Sequence, residues 1–178
     1  PDNPGVRLIR DFSPATVAGI AEEIQARRQD DDMVVYSIHW GGNWGYDVPE
    51  EQQAFARALI DEAGVDLVFG HSSHHPKGIE VYRNKLILYG CGDLINDYEG
   101  ISGHEAFRSD LRVLYFPVVG DRGDLDRLEM AVLKSRGFAL HRPEAEDVAW
   151  MGDCLTKASR AFGTGIRCAG DNMLELSW

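Results

Sequence analysis

Three histidines stand directly behind two apolar runs of the sequence. His39 ends the run "MVVYSIH", and His71 and His74 follow "VDLVFG" within the segment "GHSSHHP". Neutral imidazole is the commonest protein ligand for metal ions, and it also transfers protons near neutral pH. A lone histidine is more often structural, as we expect for His104 and His141, but the position of these three behind apolar runs favours metal binding or acid–base chemistry.

Other polar and aromatic residues follow these two runs or belong to the next run, "IEVYRNKLILYG", and its end. They are Trp40, Asn43, Trp44, Ser72, Ser73, His75, Glu80 and Asp93. Asp93, with Asn96 and Asp97, is either a hydrogen-bond partner that orients a ligating histidine or a loop cap. Glu80 is either a similar partner or a strand charge that faces water. The two tryptophans either form an apolar wall for a substrate or pack on the sheet.

The motifs of several other chemistries are missing from the sequence. Ser72 and Ser73 are not part of a GxSxG nucleophile elbow, and adjacent residues seldom make a catalytic triad. The chain has neither a GxxxxGKS/T phosphate loop nor a GxGxxG motif after a strand. No cysteine joins the histidines at ligand spacing, which disfavours a closed structural zinc site.

The elements that must position the histidines form a β-loop-α-β unit over residues 33–70. Both apolar runs predict buried strands, the first of them covered on both faces. Between them, Pro49 and two glutamates begin a helix that Gly64 ends. Such a connection implies parallel strands, and ligands bind at the carboxyl ends of parallel strands. We therefore expect the three histidines to meet at one edge of the sheet.

The rest of the pattern predicts a mixture of helices and strands around this unit. The predicted elements are a helix capped at Ser13 that runs to about Arg28, a hairpin that turns at Arg83 and Asn84, two antiparallel strands at 111–119 and 127–140, and a helix from Pro143. No repeat, low-complexity segment or linker interrupts them. The predicted fold class is therefore α/β, with residues 1–178 forming a single unit.

The composition is that of an acidic globular chain. Of its 178 residues, 44% are hydrophobic and 26% are charged, and 18 Lys and Arg against 29 Asp and Glu give a formal charge of −11. No basic stripe breaks this acidic background, which makes nucleic acid an unsuitable partner. No apolar run approaches the ~20 residues of a membrane span. Nothing at the start resembles a signal peptide.

Two further features bear on the setting of the protein. Cys91, Cys154 and Cys168 are widely spaced and form no CxxC pair, which predicts reduced, mostly buried thiols in a cytoplasmic protein. The chain does not begin with Met, and its opening "PDNPGVRLIRDF" is typical of the interior of a longer protein.

Two segments of the chain resemble a known family. "VVYSIHWGGNWGY" and "LIDEAGVDLVFGHSSHHPKGIEVYRNKLILYGCGDLIND" are similar to the second half of the CapA-like (poly-γ-glutamate capsule biosynthesis) family, a branch of the calcineurin-like metallophosphoesterase superfamily. The resemblance covers about residues 5–120. The family motifs correspond here to His39 and Trp40, to Gly70, His71 and His74, and to Tyr89, Gly92 and Asp93.

This chain departs from the family pattern at three points. Many members have GHHPH where this chain has GHSSH, and the usual asparagine after the late glycine is Asp93. The first half of the family domain, with a GD motif that supplies a metal-binding aspartate, does not occur in this sequence. The ligand positions are retained, whereas substrate selection is expected to differ.

The resemblance implies the C-terminal half of a metallophosphoesterase αββα sandwich. It also implies one or two divalent metal ions, of manganese, zinc, iron or calcium, at the sheet edge. His39, His71 and His74 would be the metal ligands, with His71 or His74 as the catalytic proton donor. A missing N-terminal half, on the same or a separate polypeptide, would carry further ligands.

Three functions stay open on these grounds. The first is a metal-dependent enzyme that acts on a peptide or polyamide substrate. Because some CapA-like proteins are peptide epimerases in the maturation of ribosomal peptides, including lasso peptides, the resemblance includes epimerisation by acid–base proton exchange. The second is a metal-dependent phosphoester hydrolase. The third is a non-catalytic scaffold that binds peptide or polymer in poly-γ-glutamate synthesis.

Overall fold

The structure, a computed structural model, describes residues 6–96 and 101–178. Within these ranges the helices are α1 (Pro14–Gln25), α2 (Glu50–Ala63) and α3 (Ala145–Ser159), with 3₁₀ turns at Glu105–Phe107 and Arg160–Phe162. The strands are β1 (Val35–His39), β2 (Leu67–His71), β3 (Ile79–Tyr82), β4 (Lys85–Leu88), β5 (Leu111–Val119), β6 (Leu125–Arg136), β7 (Ala139–His141), β8 (Gly165–Gly170) and β9 (Met173–Ser177). The predicted α/β class is confirmed.

The predicted β-loop-α-β unit forms one half of a four-stranded sheet. The strand order is β1-β2-β4-β3, and β1 pairs with β2 in parallel. Helix α2 connects the two strands and ends at Gly64, whose φ of +72° is the left-handed conformation that glycine adopts readily. The register places His39 directly opposite His71. The connection thus brings two of the predicted histidines to the same sheet edge.

Strand β1 differs from the expectation of a strand covered on both faces. It is the outermost strand of its sheet, and its side chains alternate between exposed and covered positions. Val35 is 49% exposed, Met33 just before it is 53% exposed, and Phe69 on the neighbouring strand is 36% exposed. One face of the apolar run therefore packs in the core. The described residues leave its other apolar face uncovered.

The predicted hairpin consists of β3 and β4. Its turn residues Arg83 and Asn84 have φ values of +48° and +64°, as a two-residue turn with left-handed backbone requires. The antiparallel strands predicted after it are β5 and β6, but the second prediction ran too far: the chain turns at Gly137 and Phe138 and returns as β7. The final hairpin, β8 and β9, was not predicted.

The two sheets and three helices are arranged in layers. Helices α1 and α2 cover one face of the first sheet, in a core with Phe55, Leu59 and Val68. The opposite face packs against the second sheet, of order β5-β6-β9-β8 with β7 beside β6, and α3 joins this second core through Met151 and Leu155. The arrangement agrees with a partial metallophosphoesterase-like sandwich.

Two smaller expectations were tested as well. Only Cys91 of the three cysteines is buried, so the prediction of mostly buried thiols was wrong; none of them forms a disulfide. Among residues 6–96 and 101–178, no helix has both the length and the apolar character that crossing a membrane requires.

Candidate functional site

His39 and His71 face each other at the carboxyl ends of β1 and β2. Their Nδ1 atoms are 3.2 Å apart, and the ring planes meet at 68°. The Nε2 atom of His71 lies 3.2 Å from the hydroxyl of Ser37, one pleat back on β1. Because β1 and β2 are hydrogen-bonded in register, the strand backbones themselves hold this pair of imidazoles together.

The environment of His71 favours its neutral form. Two Nδ1 atoms in contact require that one imidazole donates and the other accepts, so both cannot be protonated without repulsion. Burial lowers the pKa of His71, and the adjacent His39 lowers it further. Neutral imidazole is the form that binds metal ions.

His74 forms a second pair with Asp93. The Nδ1 of His74 lies 2.9 Å from a carboxylate oxygen of Asp93, and the two side chains are 12% and 20% exposed. The backbone N–H of His74 donates to the carbonyl of Asn43 at 3.0 Å. This hydrogen bond connects the histidine segment (residues 70–76, "GHSSHHP") to the glycine-rich loop (residues 41–47, "GGNWGYD"). A carboxylate accepts the Nδ1 proton, so the Nε2 atom carries the lone pair of the ring.

The two pairs fit parts of a metal site. Two nitrogen ligands of one tetrahedral zinc ion, at the usual bond length of about 2.0–2.1 Å, would lie about 3.3 Å apart, close to the separation of the two Nδ1 atoms. The His74–Asp93 hydrogen bond has the form of the carboxylate–histidine pairs that support metal ligands. Within the described residues, however, no group of three or more His, Cys, Asp or Glu side chains could hold a metal ion. The predicted trio is therefore present as a pair and a separate third histidine.

A cluster of stacked rings lies beside His74; we call it the aromatic cluster. Its members are Trp44, Tyr46, His75, His104 and Phe107. The rings of Trp44 and His104 stack at 4.1 Å and 10°, and those of His75 and Phe107 stack at 4.6 Å. Trp44 also contacts the ring of His74 at 5.3 Å. The cluster joins the glycine-rich loop, the histidine segment and the 3₁₀ turn at Glu105–Phe107.

His75 belongs to the wall of the site and not to its ligands. It is 1% exposed, and its Nδ1–H donates to the carbonyl of Pro76 at 2.9 Å. Burial lowers its pKa despite that hydrogen bond, so the ring is neutral. Its Nε2 has no hydrogen-bond partner among the described residues. The rings of Trp44, Tyr46 and Phe107 pack on the imidazole, so His75 serves the packing of the aromatic cluster.

Ser72 and Ser73 fix the path of the loop between the histidines. The backbone of Ser72 has a φ of +123°, a left-handed value that is strained for a side chain with a Cβ, and its hydroxyl donates to the carbonyl of Gly41 at 3.2 Å. The hydroxyl of Ser73 is buried and donates to the carbonyl of His75 at 2.8 Å. Both serines thus position the histidines around them.

Trp40 and Glu80 lie in the core, away from the two histidine pairs. The indole N–H of Trp40 donates to the carbonyl of Tyr89 at 3.0 Å, and the side chain is 7% exposed. Glu80 forms an ion pair with Arg57 at 2.9 Å and accepts a hydrogen bond from the Tyr89 hydroxyl at 2.5 Å. These contacts are those of a structural network between the first sheet and α2.

The remaining expectations concern three polar residues. Asn43 is exposed and contributes its backbone carbonyl to His74. Asn96 has a buried side-chain oxygen without a partner among the described residues. Asp97, also expected near the ligands, lies outside the described ranges. Of the predicted carboxylates within the described ranges, Asp93 contacts a histidine.

Sequence reasoning missed the contribution of the segment 104–107. His104 was interpreted as structural, and Phe107 was not singled out. Both rings reach the site because the segment 104–107 packs on Trp44 of the glycine-rich loop. The accumulation of aromatic residues in "GGNWGYD" was the signal that this loop needed a partner surface.

Comparison with known proteins identifies the family. The profile of the family described as bacterial capsule synthesis protein PGA_cap matches residues 2–98. A probable polyglutamine synthesis accessory protein of Mycobacterium tuberculosis is 47% identical over 177 residues, which is 98% of this chain and 46% of that protein. The PGA biosynthesis protein CapA of Bacillus subtilis is 36% identical over 74 residues, which is 42% of this chain and 19% of that protein.

A further relative has the same kind of name. The capsule biosynthesis protein CapA of Bacillus anthracis is 31% identical over 78 residues, which is 44% of this chain and 19% of that protein. The chain spans about half the length of the mycobacterial relative, and the match to that relative continues through the second sheet. The expected resemblance is confirmed: the chain belongs to the PGA_cap, or CapA-like, family.

Proposed function

We propose that this chain carries the histidine side of a metal-dependent site that acts on a peptide or polyamide backbone in poly-glutamate synthesis. The observation that carries the proposal is the Nδ1 to Nδ1 distance of 3.2 Å between His39 and His71. The names of the mycobacterial and Bacillus relatives support the choice of substrate class.

The roles of the individual residues follow from their contacts. His39 and His71 would hold the metal ion, and two nitrogen donors favour zinc, manganese or iron over calcium, which takes oxygen ligands. A bound divalent ion would supply polarisation of a carbonyl or phosphoryl oxygen, or activation of water. His74 would add a ligand or move a proton at its Nε2, because Asp93 holds the proton on Nδ1. Trp44 would form an apolar wall beside it.

The proposed site needs further donors, and an open apolar face supports one origin for them. A groove of about 450 Å³ lies between the first sheet and β5, lined by residues that include Val35, Phe69 and Pro117. We propose that the remaining part of the family domain, on the same or a separate polypeptide, covers this groove and brings further metal ligands to the edge of β1. Its length is available, since this chain covers 46% of the mycobacterial relative.

Epimerisation is the chemical form of this proposal on a peptide, and phosphoester hydrolysis is the alternative reaction at the same site. The complete polypeptide, loaded with metal, should be incubated with γ-glutamyl and α-peptide substrates in D₂O. Deuterium at a Cα position, seen by mass spectrometry, would show proton exchange. Release of nitrophenol from bis-nitrophenyl phosphate would instead show hydrolysis. Loss of either activity in His71→Ala, and its retention in His141→Ala, would assign it to this site.

A second candidate function is a non-catalytic scaffold that binds peptide or polymer. It is favoured by the observation that no three-ligand group exists among the described residues. Elemental analysis and thermal melting of the complete polypeptide decide between the two. Stoichiometric metal and a metal-dependent rise in Tm support the enzyme. A complete polypeptide without metal and without such a rise would establish the scaffold.

A cytoplasmic location belongs to the same proposal and is tested by cell fractionation.

A further inference from the structure

A second cavity lies on the other side of the aromatic cluster from the histidine pairs. It has a volume of about 810 Å³ and opens between the glycine-rich loop, the start of α2 and one side of α3. Tyr46, Trp150 and Phe162 contribute aromatic walls. A volume of this size is in the upper part of the range for sites that enclose small ligands, so the cavity has room for a side chain with its flanking backbone.

The charged side chains around this cavity are mostly negative. Asp47, Glu50 and Asp153 line it and are exposed, against one lining cation, Lys157. No ion pair within the described parts of the chain engages any of these three carboxylates. Glu50 lies in the first turn of α2, where the N-terminal partial charge of the helix offsets part of its charge. The ammonium of Lys77 donates to the backbone carbonyl of Asp47 at 3.4 Å and offsets part of the charge of that aspartate. Asp153 and the remaining charge of Asp47 therefore give the mouth its negative potential.

The aromatic walls remain uncharged beside these carboxylates. Burial raises the pKa of Tyr46, and a hydrogen bond with Cys154 raises it further, so the phenol stays protonated. One face of Trp150 carries the guanidinium of Arg108, 5.6 Å from the ring centroid. Aromatic faces beside exposed carboxylates attract a cation with an apolar stem, through contact with the stem and attraction of the charge.

We propose that this cavity binds a lysine- or arginine-bearing peptide segment of a partner protein. The ammonium or guanidinium group would lie between Asp47 and Asp153, and the aliphatic stem would pack on Tyr46 and Trp150. The same charges repel a polyanion, so the cavity does not serve a poly-glutamate chain. The proposal does not depend on the metal site. The ring of Tyr46, which lines the cavity, contacts the ring of His75 at 4.7 Å, so a single layer of rings separates the cavity from the histidine pairs.

The test is a titration of purified protein against matched labelled peptides. A fluorescein-labelled hexapeptide AFKLKA is compared with AFELEA by fluorescence anisotropy at low and at moderate salt. We expect saturable binding of the lysine peptide, weakened by salt, and none of the glutamate peptide. Equal binding of both peptides, or of neither, would overturn the proposal. An n-butylammonium salt that displaced the peptide at equal concentration would also overturn it, because the site would then recognise the amine alone.

Variants locate the binding to the cavity. Asp47→Asn with Asp153→Asn should raise the Kd of the lysine peptide at least about fivefold, whereas Lys157→Gln should lower it about twofold. Asp121→Asn removes an exposed carboxylate that does not line the cavity and should leave the Kd unchanged. Thermal melting shows that each variant is folded. Folded variants with an unchanged Kd would refute the assignment.

Discussion

The Nδ1 atoms of His39 and His71 are 3.2 Å apart across two parallel strands that pair in register. Each imidazole stands at the last residue of its strand, so the distance is set by the ladder of hydrogen bonds and not by a flexible loop. The separation of the two nitrogens is close to that of two ligands on one ion, as the proposed metal site requires.

Replacing either member of this pair should remove bound metal without unfolding the chain. His39→Ala and His71→Ala leave the β1–β2 ladder intact, because its hydrogen bonds are between backbone atoms. Elemental analysis of the complete polypeptide should show loss of metal in both variants, with a Tm within a few degrees of the metal-stripped parent. His141→Ala, on β7, is the matched control and should retain metal. Full metal content in His71→Ala would refute the assignment of this ligand.

Asp93 is expected to act through His74. Asp93→Asn keeps the size of the side chain but replaces the carboxylate that holds the Nδ1 proton, and such changes typically reduce metal affinity or activity about 10–100-fold. Metal titration and turnover of the complete polypeptide measure the effect. Asp121→Asn serves as the control. Parent-like affinity and turnover in Asp93→Asn would mean that the hydrogen bond is structural only.

Gly70, the first residue of the GHSSH segment, should be intolerant of a side chain. A Cβ there would lie 2.6 Å from the indole nitrogen of Trp40 and 2.7 Å from the carbonyl oxygens of Leu88 and Tyr89. Since two of these neighbours are backbone atoms, we expect Gly70→Ala to lower the free energy of unfolding by about 2–4 kcal/mol. Denaturant unfolding measures it.

The matched control is a glycine with space around it. Gly19 lies in α1, and a Cβ there meets nothing within 4 Å. Gly19→Ala should therefore raise the free energy of unfolding by about 0.5–1 kcal/mol, because alanine favours the helix. Equal effects of the two substitutions would contradict the close packing described at Gly70.

Asp147 should make the protein sensitive to acid. Burial of its carboxyl would raise the pKa, but hydrogen bonds from Arg108 at 2.6 Å and from Lys134 at 2.9 Å outweigh burial and lower it to about 2. The unfolded value is about 3.9. The carboxylate thus stabilises the fold above about pH 4, and this contribution is lost as the pH falls toward 2.

Removing that carboxylate should flatten the acid response. Asp147→Asn is expected to lower the free energy of unfolding by about 1–3 kcal/mol at pH 7 and to reduce its decline between about pH 4 and 2. Urea unfolding across this pH range measures both effects. Asp30→Asn, at an exposed turn, is the comparison. An unchanged pH profile in Asp147→Asn would show that other carboxylates control acid unfolding.

The parts of the fold that depend on local pattern could be predicted from the sequence. The apolar runs before His39 and His71, with a helix between them, predict parallel strands, and the observed register follows. The β8–β9 hairpin was missed because "GIRCAG" and "MLELS" are short and the first of them is mostly exposed, although Gly170 and Asp171 at the turn are a recognisable signal. The stacking of His104 on Trp44 depends on a distant loop, which no local pattern specifies.

The candidate site shows the same division. The positions of the strand ends were sufficient to predict that His39 and His71 meet. The interpretation of Glu80, as a histidine partner or a charge that faces water, was based only on its place in the sequence. Its carboxylate belongs to Arg57 and Tyr89, because the pleat of β3 turns it toward α2. Asp93 and Asn96 were equivalent candidates in the sequence, and it is the hydrogen bond to His74 that distinguishes Asp93.

The outer edge of β1 has a consequence for handling the protein. It presents backbone N–H and C=O groups without a strand neighbour among the described residues, next to the exposed side chains of Met33 and Val35. Such an edge is a template for pairing with another molecule. The formal charge of −11 opposes close approach of two copies at low salt. Concentrated, salty solutions of this chain should therefore favour edge-to-edge aggregation, and dilute solutions of low ionic strength should keep it dispersed.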